Sequence, residues 1–287
     1  PWSAPSSAFS PRGRPDDERR LRAACCAGRY PLPYAAEGTG NGIGLLCFPY
    51  AGGSALTFQG WERHLPDWID VLAVEPPGHG TRMGAPLPTD VASCADCLAA
   101  DLLPETTRPY AVFGHSLGAI VAYEVARRFT EAGRPPVHLF VAGHPAPGWP
   151  RVEPPIRHLS DHDFLVAVHA MDASPSELLD DGDVADYFLP VLRADFTMSE
   201  TYAEADGDPL PCPITALGGL GDAGVPTHGL DAWWRLGTRG STVHLPGGHF
   251  FLHTARAGLL GAVARDLLEH RCAPSPAIGR APARAIA

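Results

Sequence analysis

The sequence contains no lysine. All 22 of its basic side chains are arginine. Because glycine, proline and alanine are abundant, we interpret this absence as the coding bias of a GC-rich genome and not as a functional signal. Basic residues are also outnumbered, since 32 Asp and Glu give a formal net charge of −10. The chain has no basic run either, which argues against a nucleic-acid partner, because such a partner requires a basic face.

Long apolar runs are missing as well. The sequence has no stretch of about 18 uncharged apolar residues, and its N-terminal segment lacks the apolar core of a signal peptide. We therefore predict a protein that neither enters a membrane nor is exported. The seven cysteines are an odd number scattered through a chain of ordinary domain size, which argues against a disulfide framework and favours the reducing cytoplasm.

Two of these cysteines, Cys94 and Cys97, have the spacing of a redox or metal site. They lie within a helical pattern of Val91, Cys94, Leu98 and Leu102 and lack a second pair of ligands. We interpret them as small core residues on a helix. Neither a metal ion nor a bound cofactor is expected.

At 287 residues the chain is long enough for one large α/β domain, which we place at residues 41–272. Residues 1–40 and 273–287 are predicted to be loose tails, because they show little periodicity. Between them, short apolar runs alternate with helical patterns, which is typical of a mostly parallel, doubly wound sheet with helices on both faces. The predicted strands are Ile43 to Phe48, Asp70 to Val74, Tyr110 to Phe113, Val137 to Ala142, Pro213 to Leu217 and Thr242 to Leu245.

One interval interrupts this alternation. About seventy residues separate Ala142 from Pro213, far more than an ordinary crossover needs. The interval contains helical patterns over Asp161 to Met171 and over Val184 to Tyr202, and the second is apolar on more than half of its circumference. That second helix is either buried between layers or part of a helical lid, at about residues 150–210, that lines a substrate tunnel.

The pentad Gly114-His115-Ser116-Leu117-Gly118 stands between a predicted strand and a helical pattern that runs from Ala119 to about Thr130. This position is typical of a nucleophile elbow, in which small neighbours let the chain turn sharply and expose the serine hydroxyl. A chain so rich in glycine produces the pattern easily by chance. Ser116 therefore needs partners elsewhere in the sequence.

A serine hydroxyl becomes nucleophilic when a histidine accepts its proton and a carboxylate holds that histidine. In doubly wound serine hydrolases the acid and then the histidine follow late strands. Asp222 lies on a glycine-rich loop after the strand that ends at Leu217, although a turn or helix-capping role is an alternative and Asp231 lies nearby. His249 follows the last predicted strand and is expected to be the base.

Thirteen histidines compete for that role. His115 adjoins the serine, but its side chain is expected to point away from the nucleophile. His79, His144 and His228 lie in predicted loops, where we interpret them as solvated or hydrogen-bonded surface groups. None of them combines a position after the last strand with a glycine-rich approach, as His249 does.

Acyl transfer also requires an oxyanion hole. It is usually formed by the N–H of the residue after the nucleophile and by one N–H from the loop after the first core strand. The first donor is the backbone of Leu117. The loop that follows Phe48 contains glycine, and Ala51 is the expected second donor.

Four segments of the chain, and one segment of the predicted lid, together resemble the sequence motifs of a known protein family. The four segments are Phe48-Pro49-Tyr50-Ala51-Gly52-Gly53-Ser54, Pro77-Gly78-His79-Gly80-Thr81-Arg82, Gly114-His115-Ser116-Leu117-Gly118-Ala119 and Gly248-His249-Phe250-Phe251-Leu252. Over about residues 43–270 they resemble the type II thioesterases of polyketide and nonribosomal peptide synthesis. Leu192-Arg193-Ala194-Asp195-Phe196 resembles the lid of that family.

The resemblance implies an α/β-hydrolase fold with a helical lid insertion, in which Ser116, His249 and Asp222 hydrolyse acyl groups from the phosphopantetheine thiol of an acyl or peptidyl carrier protein. The phosphopantetheine belongs to that partner, and the enzyme is expected to be a monomer. Two positions depart from the family. His79 stands where arginine is frequent, and the acid loop lacks the first of two aspartates, so that Asp222 aligns with the second.

Other functions stay open, because a triad fixes acyl transfer and not the leaving group. An esterase or a chain-releasing acyltransferase of the same fold is one alternative. A non-catalytic, hydrolase-like binding protein that uses the pocket as a receptor is another. The presence of all three predicted triad residues argues against the second alternative.

Overall fold

The computed structural model describes residues 34–35, 42–151, 153–171, 182–203 and 207–271. The strands are β1 Tyr34–Ala35, β2 Ile43–Phe48, β3 Ile69–Ala73, β4 Tyr110–His115, β5 Leu139–Ala142, β6 Ile214–Gly219 and β7 Gly240–Leu245. They form one sheet with the order β1-β3-β2-β4-β5-β6-β7. Strands β2 to β7 run parallel, and the two-residue edge strand β1 is antiparallel to β3. The mostly parallel, doubly wound sheet predicted from the sequence is confirmed.

The central strands are buried on both faces, which explains their continuous apolar runs. Every residue of β2 and of β4 is buried, because helices cover both sides of a parallel sheet. The parallel strands end at one edge. There Phe48 pairs with Gly114, His115 with Ala142, and Gly219 with Leu245, so the loops that follow these strands converge.

The helices are α1 Val91–Leu102, α2 Leu117–Glu131, α3 Asp161–Ala170, α4 Gly182–Thr201, α5 Thr227–Asp231, α6 Phe251–Thr254 and α7 Arg256–Arg271. One hydrophobic core joins the sheet to α1 and α2, with Phe129 and Trp233 at its centre. A second core joins the opposite face to α7 and contains Trp61 and Phe113. Helix α1 begins at a capping aspartate, since Asp90 accepts a hydrogen bond from the Ser93 N–H at 2.7 Å.

Helices α3 and α4 form the insertion between β5 and β6. Leu192 of α4 packs against Phe164 and Val168 of α3 in a small separate core, while Met198 of α4 joins the main core. Phe188 is 37% exposed. Helix α4 thus contacts the body on one side and solvent on another, which favours the lid interpretation over a helix buried between layers. Because part of the interval lies outside the described residues, its limits at about 150–210 stay a prediction.

Most strands and helices lie where the sequence predicted them, but several begin or end at other residues than predicted. Strand β5 begins two residues later than predicted, at Leu139. The chain after His249 forms two helices, α6 and α7, which are separated at Ala255. Tyr34 and Ala35, within the predicted N-terminal tail, form β1. The other residues of the two predicted tails, 1–40 and 273–287, lie outside the described residues. Among the helices that are described, none is long and apolar enough to span a bilayer.

Candidate active site

Ser116 occupies the sharp turn between β4 and α2. With φ of 54° and ψ of −121°, it is the one non-glycine residue with positive φ in the described part of the chain. Glycine is required on both sides. A Cβ at Gly114 would collide with the carbonyl oxygen of Gly118, and a Cβ at Gly118 would collide with that of Phe48. The turn therefore has the strained geometry of a nucleophile elbow, which holds the hydroxyl clear of its own backbone.

The loops after β6 and β7 bring Asp222 and His249 to the serine. His249 Nε2 lies 3.0 Å from Ser116 Oγ, and His249 Nδ1 lies 2.8 Å from Asp222 Oδ2. The two loops are joined, since the Gly221 N–H donates to the Gly247 carbonyl oxygen at 2.8 Å. The side chain of Asp222 is 5% exposed and that of His249 is 26% exposed. One chain of hydrogen bonds thus runs from a buried carboxylate to the serine hydroxyl.

The alternative roles considered for the acid loop can be compared with this geometry. Asp222 does form a turn, because its Oδ1 accepts a hydrogen bond from the Gly224 N–H at 3.2 Å. Its Oδ2 remains for His249, so both roles coexist. Asp231 instead accepts a hydrogen bond from Oγ1 of Thr242, within β7, at 2.7 Å.

The side chain of His115 is hydrogen-bonded to the loop of His249 and not to the serine hydroxyl. Its Nε2 lies 2.9 Å from the carbonyl oxygen of His249. Burial, with a further contribution from the nearby His249, holds the pKa of His115 well below its ordinary value. A neutral ring that donates from Nε2 fits this contact, because a carbonyl oxygen only accepts. The sequence excluded His115 as the base but did not reveal this supporting role.

The remaining histidines differ in their surroundings. His228 is exposed, as predicted, but it lies in α5 and not in a loop. His144 Nδ1 lies 2.6 Å from the Pro145 carbonyl oxygen, and burial lowers its pKa to about 4. The interpretation of His79 as a surface group is wrong, since His79 is 5% exposed. Its Nε2 lies 2.9 Å from Oδ2 of Asp195, on the lid helix α4. This contact between residues remote in sequence buries His79, and no local sequence pattern predicts it.

The loop after β2 lies beside the elbow because Phe48 and Gly114 are paired in neighbouring strands. Its turn is closed by the Gly53 N–H, which donates to the Tyr50 carbonyl oxygen at 2.9 Å. Ala51 is half-buried within that turn. Leu117 begins α2, where a backbone N–H has no acceptor inside the helix. The two predicted oxyanion donors therefore lie on adjacent segments at the carboxyl edge of the sheet.

Tyr50 connects this loop to the far side of the site. Its hydroxyl lies 3.2 Å from His253 Nε2, and its ring packs edge-on against His115 and Phe250. Burial raises the pKa of Tyr50 above its ordinary value. The tyrosine was visible in the sequence as part of the glycine-containing loop, but its hydroxyl partner His253 follows the last strand and could not be assigned.

An apolar pocket adjoins the elbow between α1, α2 and α4. Leu117, Val121, Leu98, Cys94 and Met198 are among the residues that line it. Cys94 is 2% exposed and forms no disulfide bond, as expected of a small core residue on a helix. Across the described segments, no group of three or more His, Cys, Asp or Glu side chains could hold a metal ion. The pocket therefore suits an apolar group next to Ser116.

Residues 44–269 match the family model of the thioesterase domain. The chain belongs to the thioesterase family. It is 35% identical to the gramicidin S biosynthesis protein GrsT of Aneurinibacillus migulanus, over 78% of this chain and 88% of GrsT. It is 31% identical to the thioesterase PikA5 of Streptomyces venezuelae, over 90% of each chain. The resemblance stated from the sequence motifs is thereby confirmed.

A solved structure of this thioesterase family has the same architecture. The type II thioesterase BorB from the borrelidin biosynthetic cluster superposes with a TM-score of 0.74 at 33% identity, over 81% of this chain and 95% of BorB. The α/β-hydrolase fold class predicted from the sequence is confirmed by this likeness. The Ser116, His249 and Asp222 geometry thus lies within a thioesterase framework.

Proposed function

We propose that this thioesterase hydrolyses acyl groups from the phosphopantetheine thiol of an acyl or peptidyl carrier protein, with Ser116 as nucleophile. His249 acts as general base and Asp222 orients it. The observation that carries the proposal is the continuous hydrogen-bonded chain from Asp222 through His249 to Ser116, with distances of 2.8 and 3.0 Å. The names of GrsT and BorB, which refer to gramicidin S biosynthesis and to the borrelidin cluster, support a role in such assembly lines.

The first half of the reaction transfers the acyl group to the enzyme. Ser116 Oγ attacks the thioester carbonyl carbon while His249 Nε2 accepts the hydroxyl proton, and Asp222 stabilises the resulting imidazolium. The carbonyl oxygen becomes an oxyanion, which the N–H groups of Ala51 and Leu117 stabilise. The tetrahedral intermediate then expels the pantetheine sulfur, which takes the proton from His249, and an acyl-serine remains.

Water completes the cycle by the same route. His249 accepts a proton from the attacking water, and the second tetrahedral intermediate collapses with proton return to Ser116 Oγ. The products are the free acid and the unchanged serine. The apolar lining beside the elbow, which includes Val121 and Met198, accommodates the acyl chain. The partly exposed His249 stays accessible to water and to the pantetheine arm.

Kinetics of Ser116→Ala test the nucleophile. The variant should lose roughly 10⁴-fold or more in kcat while it retains the wild-type melting temperature. Ser199→Ala is a matched control on α4, because Ser199 contacts Arg151 through its backbone carbonyl oxygen; its kcat should stay within about twofold of wild type. Persistent turnover by Ser116→Ala contradicts the assignment.

Three substrates with one acyl group test the leaving group: the acyl-carrier protein, the acyl-pantetheine and an oxygen ester. The proposal expects the highest kcat/KM with the carrier-bound thioester. A preference for the oxygen ester identifies an esterase instead, and transfer to an added alcohol or amine in place of water identifies a chain-releasing acyltransferase. Absence of turnover together with no labelling of Ser116 by a serine-directed phosphonate identifies a non-catalytic binding protein.

A further inference from the structure

One carboxylate oxygen of the lid joins three segments that are remote in sequence. Asp195 Oδ2, on α4, accepts a hydrogen bond from the Gly52 N–H at 2.6 Å and lies 2.9 Å from His79 Nε2. Asp195 is 1% exposed and His79 is 5% exposed. The other oxygen, Asp195 Oδ1, is buried without a hydrogen-bond partner among the described residues. Both bonds therefore depend on Oδ2 alone.

The chemistry of His79 fixes the charge state of this junction. Its Nδ1 lies 3.0 Å from the Pro77 carbonyl oxygen, so both ring nitrogens face acceptors and both carry a proton. Burial lowers the pKa of His79, but the hydrogen bond and charge of Asp195, the Pro77 carbonyl and the charge of Glu75 outweigh it and raise the pKa above its ordinary value. A protonated His79 ring thus faces the buried carboxylate of Asp195 and forms a charge-assisted hydrogen bond with it.

The junction restrains the residue next to a proposed oxyanion donor. The Gly52 N–H belongs to the peptide bond that joins Ala51 to Gly52. Gly52 has a φ of +74°, and a Cβ at this position would lie 2.6 Å from Leu192 Cδ2. Helix α4 therefore covers the backbone of Gly52 directly and also binds its N–H. With the turn closed at Gly53, the orientation of the Ala51 N–H is fixed from both sides.

We infer that Asp195 is a positioning residue, which acts through the Gly52 N–H to hold the Ala51 N–H toward the oxyanion, so that the oxyanion hole is complete only when α4 packs on this loop. The inference rests on the proposed function, since it assumes the acyl-transfer role of Ala51. It makes the lid a part of the catalytic apparatus as well as a wall of the pocket. Asp195 itself does not touch the reacting atoms.

Two substitutions form a graded series. Asp195→Ala removes the acceptor, and Asp195→Asn keeps the shape but accepts the Gly52 N–H without the assistance of a charge. Because loss of one oxyanion donor typically costs about 10²–10³ in kcat, kcat should fall by at least about tenfold in Asp195→Ala and by less in Asp195→Asn, with little change in KM. Hydrogen exchange at the Gly52 amide, measured by NMR, should accelerate in the same order.

An inhibitor pair separates positioning from a general loss of lid structure. Ser116 Oγ adds to the carbonyl carbon of a trifluoromethyl ketone, and the carbonyl oxygen becomes an oxyanion. The matching secondary alcohol occupies the pocket without forming an oxyanion. The ratio of the two affinities should fall at least about tenfold in Asp195→Ala. Arg193→Ala is the control on the same helix, because Arg193 binds Asp161 and the Leu159 carbonyl oxygen within the insertion; its ratio should equal that of wild type.

The outcomes test the positioning role of Asp195 separately from the proposed thioesterase function. If either Asp195 variant loses Gly52 protection without losing kcat, or loses kcat without losing protection, the positioning role is wrong. The same holds if Arg193→Ala lowers the ketone-to-alcohol ratio as much as Asp195→Ala does. If wild type fails to hydrolyse acyl-carrier thioesters, the proposed function is wrong, and this result is distinct because exchange at Gly52 does not depend on turnover.

Discussion

His115 Nε2 donates a hydrogen bond of 2.9 Å to the carbonyl oxygen of His249. The residue beside the nucleophile therefore supports the loop that carries the base. In the described part of the chain, the buried Nδ1 of His115 has no hydrogen-bond partner, which agrees with a neutral ring that is protonated on Nε2. This one contact ties the turn after β4 to the loop after β7.

His115→Phe tests that support. The substitution preserves an aromatic ring against Tyr50 and Phe251 but leaves the His249 carbonyl without its donor, which costs about 1–3 kcal/mol if the carbonyl stays buried. A small displacement of His249 should lower kcat about tenfold or more. Steady-state kinetics measure the loss, and exposed His228→Ala should match wild type. An unchanged kcat in His115→Phe shows that packing alone holds the loop.

Substitution of glycine by alanine should have opposite effects on the free energy of unfolding at Gly118 of the elbow and at Gly261 of α7. Gly118→Ala brings a Cβ against the Phe48 carbonyl oxygen and should destabilise the fold by more than about 3 kcal/mol. Gly261, within α7, has open space around its Cα, so Gly261→Ala should stabilise by about 0.5–1 kcal/mol through helix propensity. Urea unfolding measures both. Equal effects would refute a steric requirement at Gly118.

Acid should destabilise the protein through His138. Burial lowers its pKa to about 3, with Asp266 opposing the shift and His270 and Arg239 adding to it. The unfolded chain binds a proton below about pH 6.5 while the folded chain does not, so the free energy of unfolding falls as the pH decreases, by about 1.4 kcal/mol per pH unit for this group. Above that pH both states are neutral and the contribution is constant.

His138→Gln isolates this effect. Denaturant unfolding between about pH 6 and pH 5 should show a slope that is shallower than that of wild type by about 1.4 kcal/mol per pH unit, whatever the variant loses in absolute stability. His158→Gln, at an exposed position, should keep the wild-type slope. An identical slope in His138→Gln means that His138 is protonated in the folded state.

Cys94 should influence the preference for acyl length, because it lines the pocket from α1. Cys94→Phe fills that space, so kcat/KM for a long acyl-carrier substrate should fall about tenfold or more relative to acetyl-carrier. Cys212→Ala, at a buried cysteine outside this lining, should leave the ratio unchanged. Equal losses for long and short acyl groups would place the acyl chain elsewhere.

The sequence was most informative where position along the chain determines position in space. Parallel strands end at one edge, so Ser116, Asp222 and His249 could be expected together from the strands that precede them. The apolar runs predicted those strands because buried strands need apolar side chains on both faces. Strand and helix ends were less well predicted, since β5 begins at Leu139 and α6 ends before Ala255.

Contacts between remote side chains could not be predicted. His79 and Asp195 are 116 residues apart, and the local sequence around neither residue predicts that the two are in contact. Periodicity reports that a residue is buried but not what it faces. Tyr50 and His253 illustrate the same limit, because the separation of 203 residues is bridged only by the arrangement of the strand ends.

Met198 and Asp195 lie three positions apart on α4, one lining the acyl pocket and the other holding Gly52. Residues at this spacing share one face of a helix and shift together when the helix slides or rotates. From the proposed role of Asp195 we therefore expect substrate preference and rate to be coupled in this enzyme. A displacement of α4 that admits a different acyl group is then expected to disturb the Ala51 turn as well, so side-chain exchanges on a helix that stays in place should change specificity with less loss of rate.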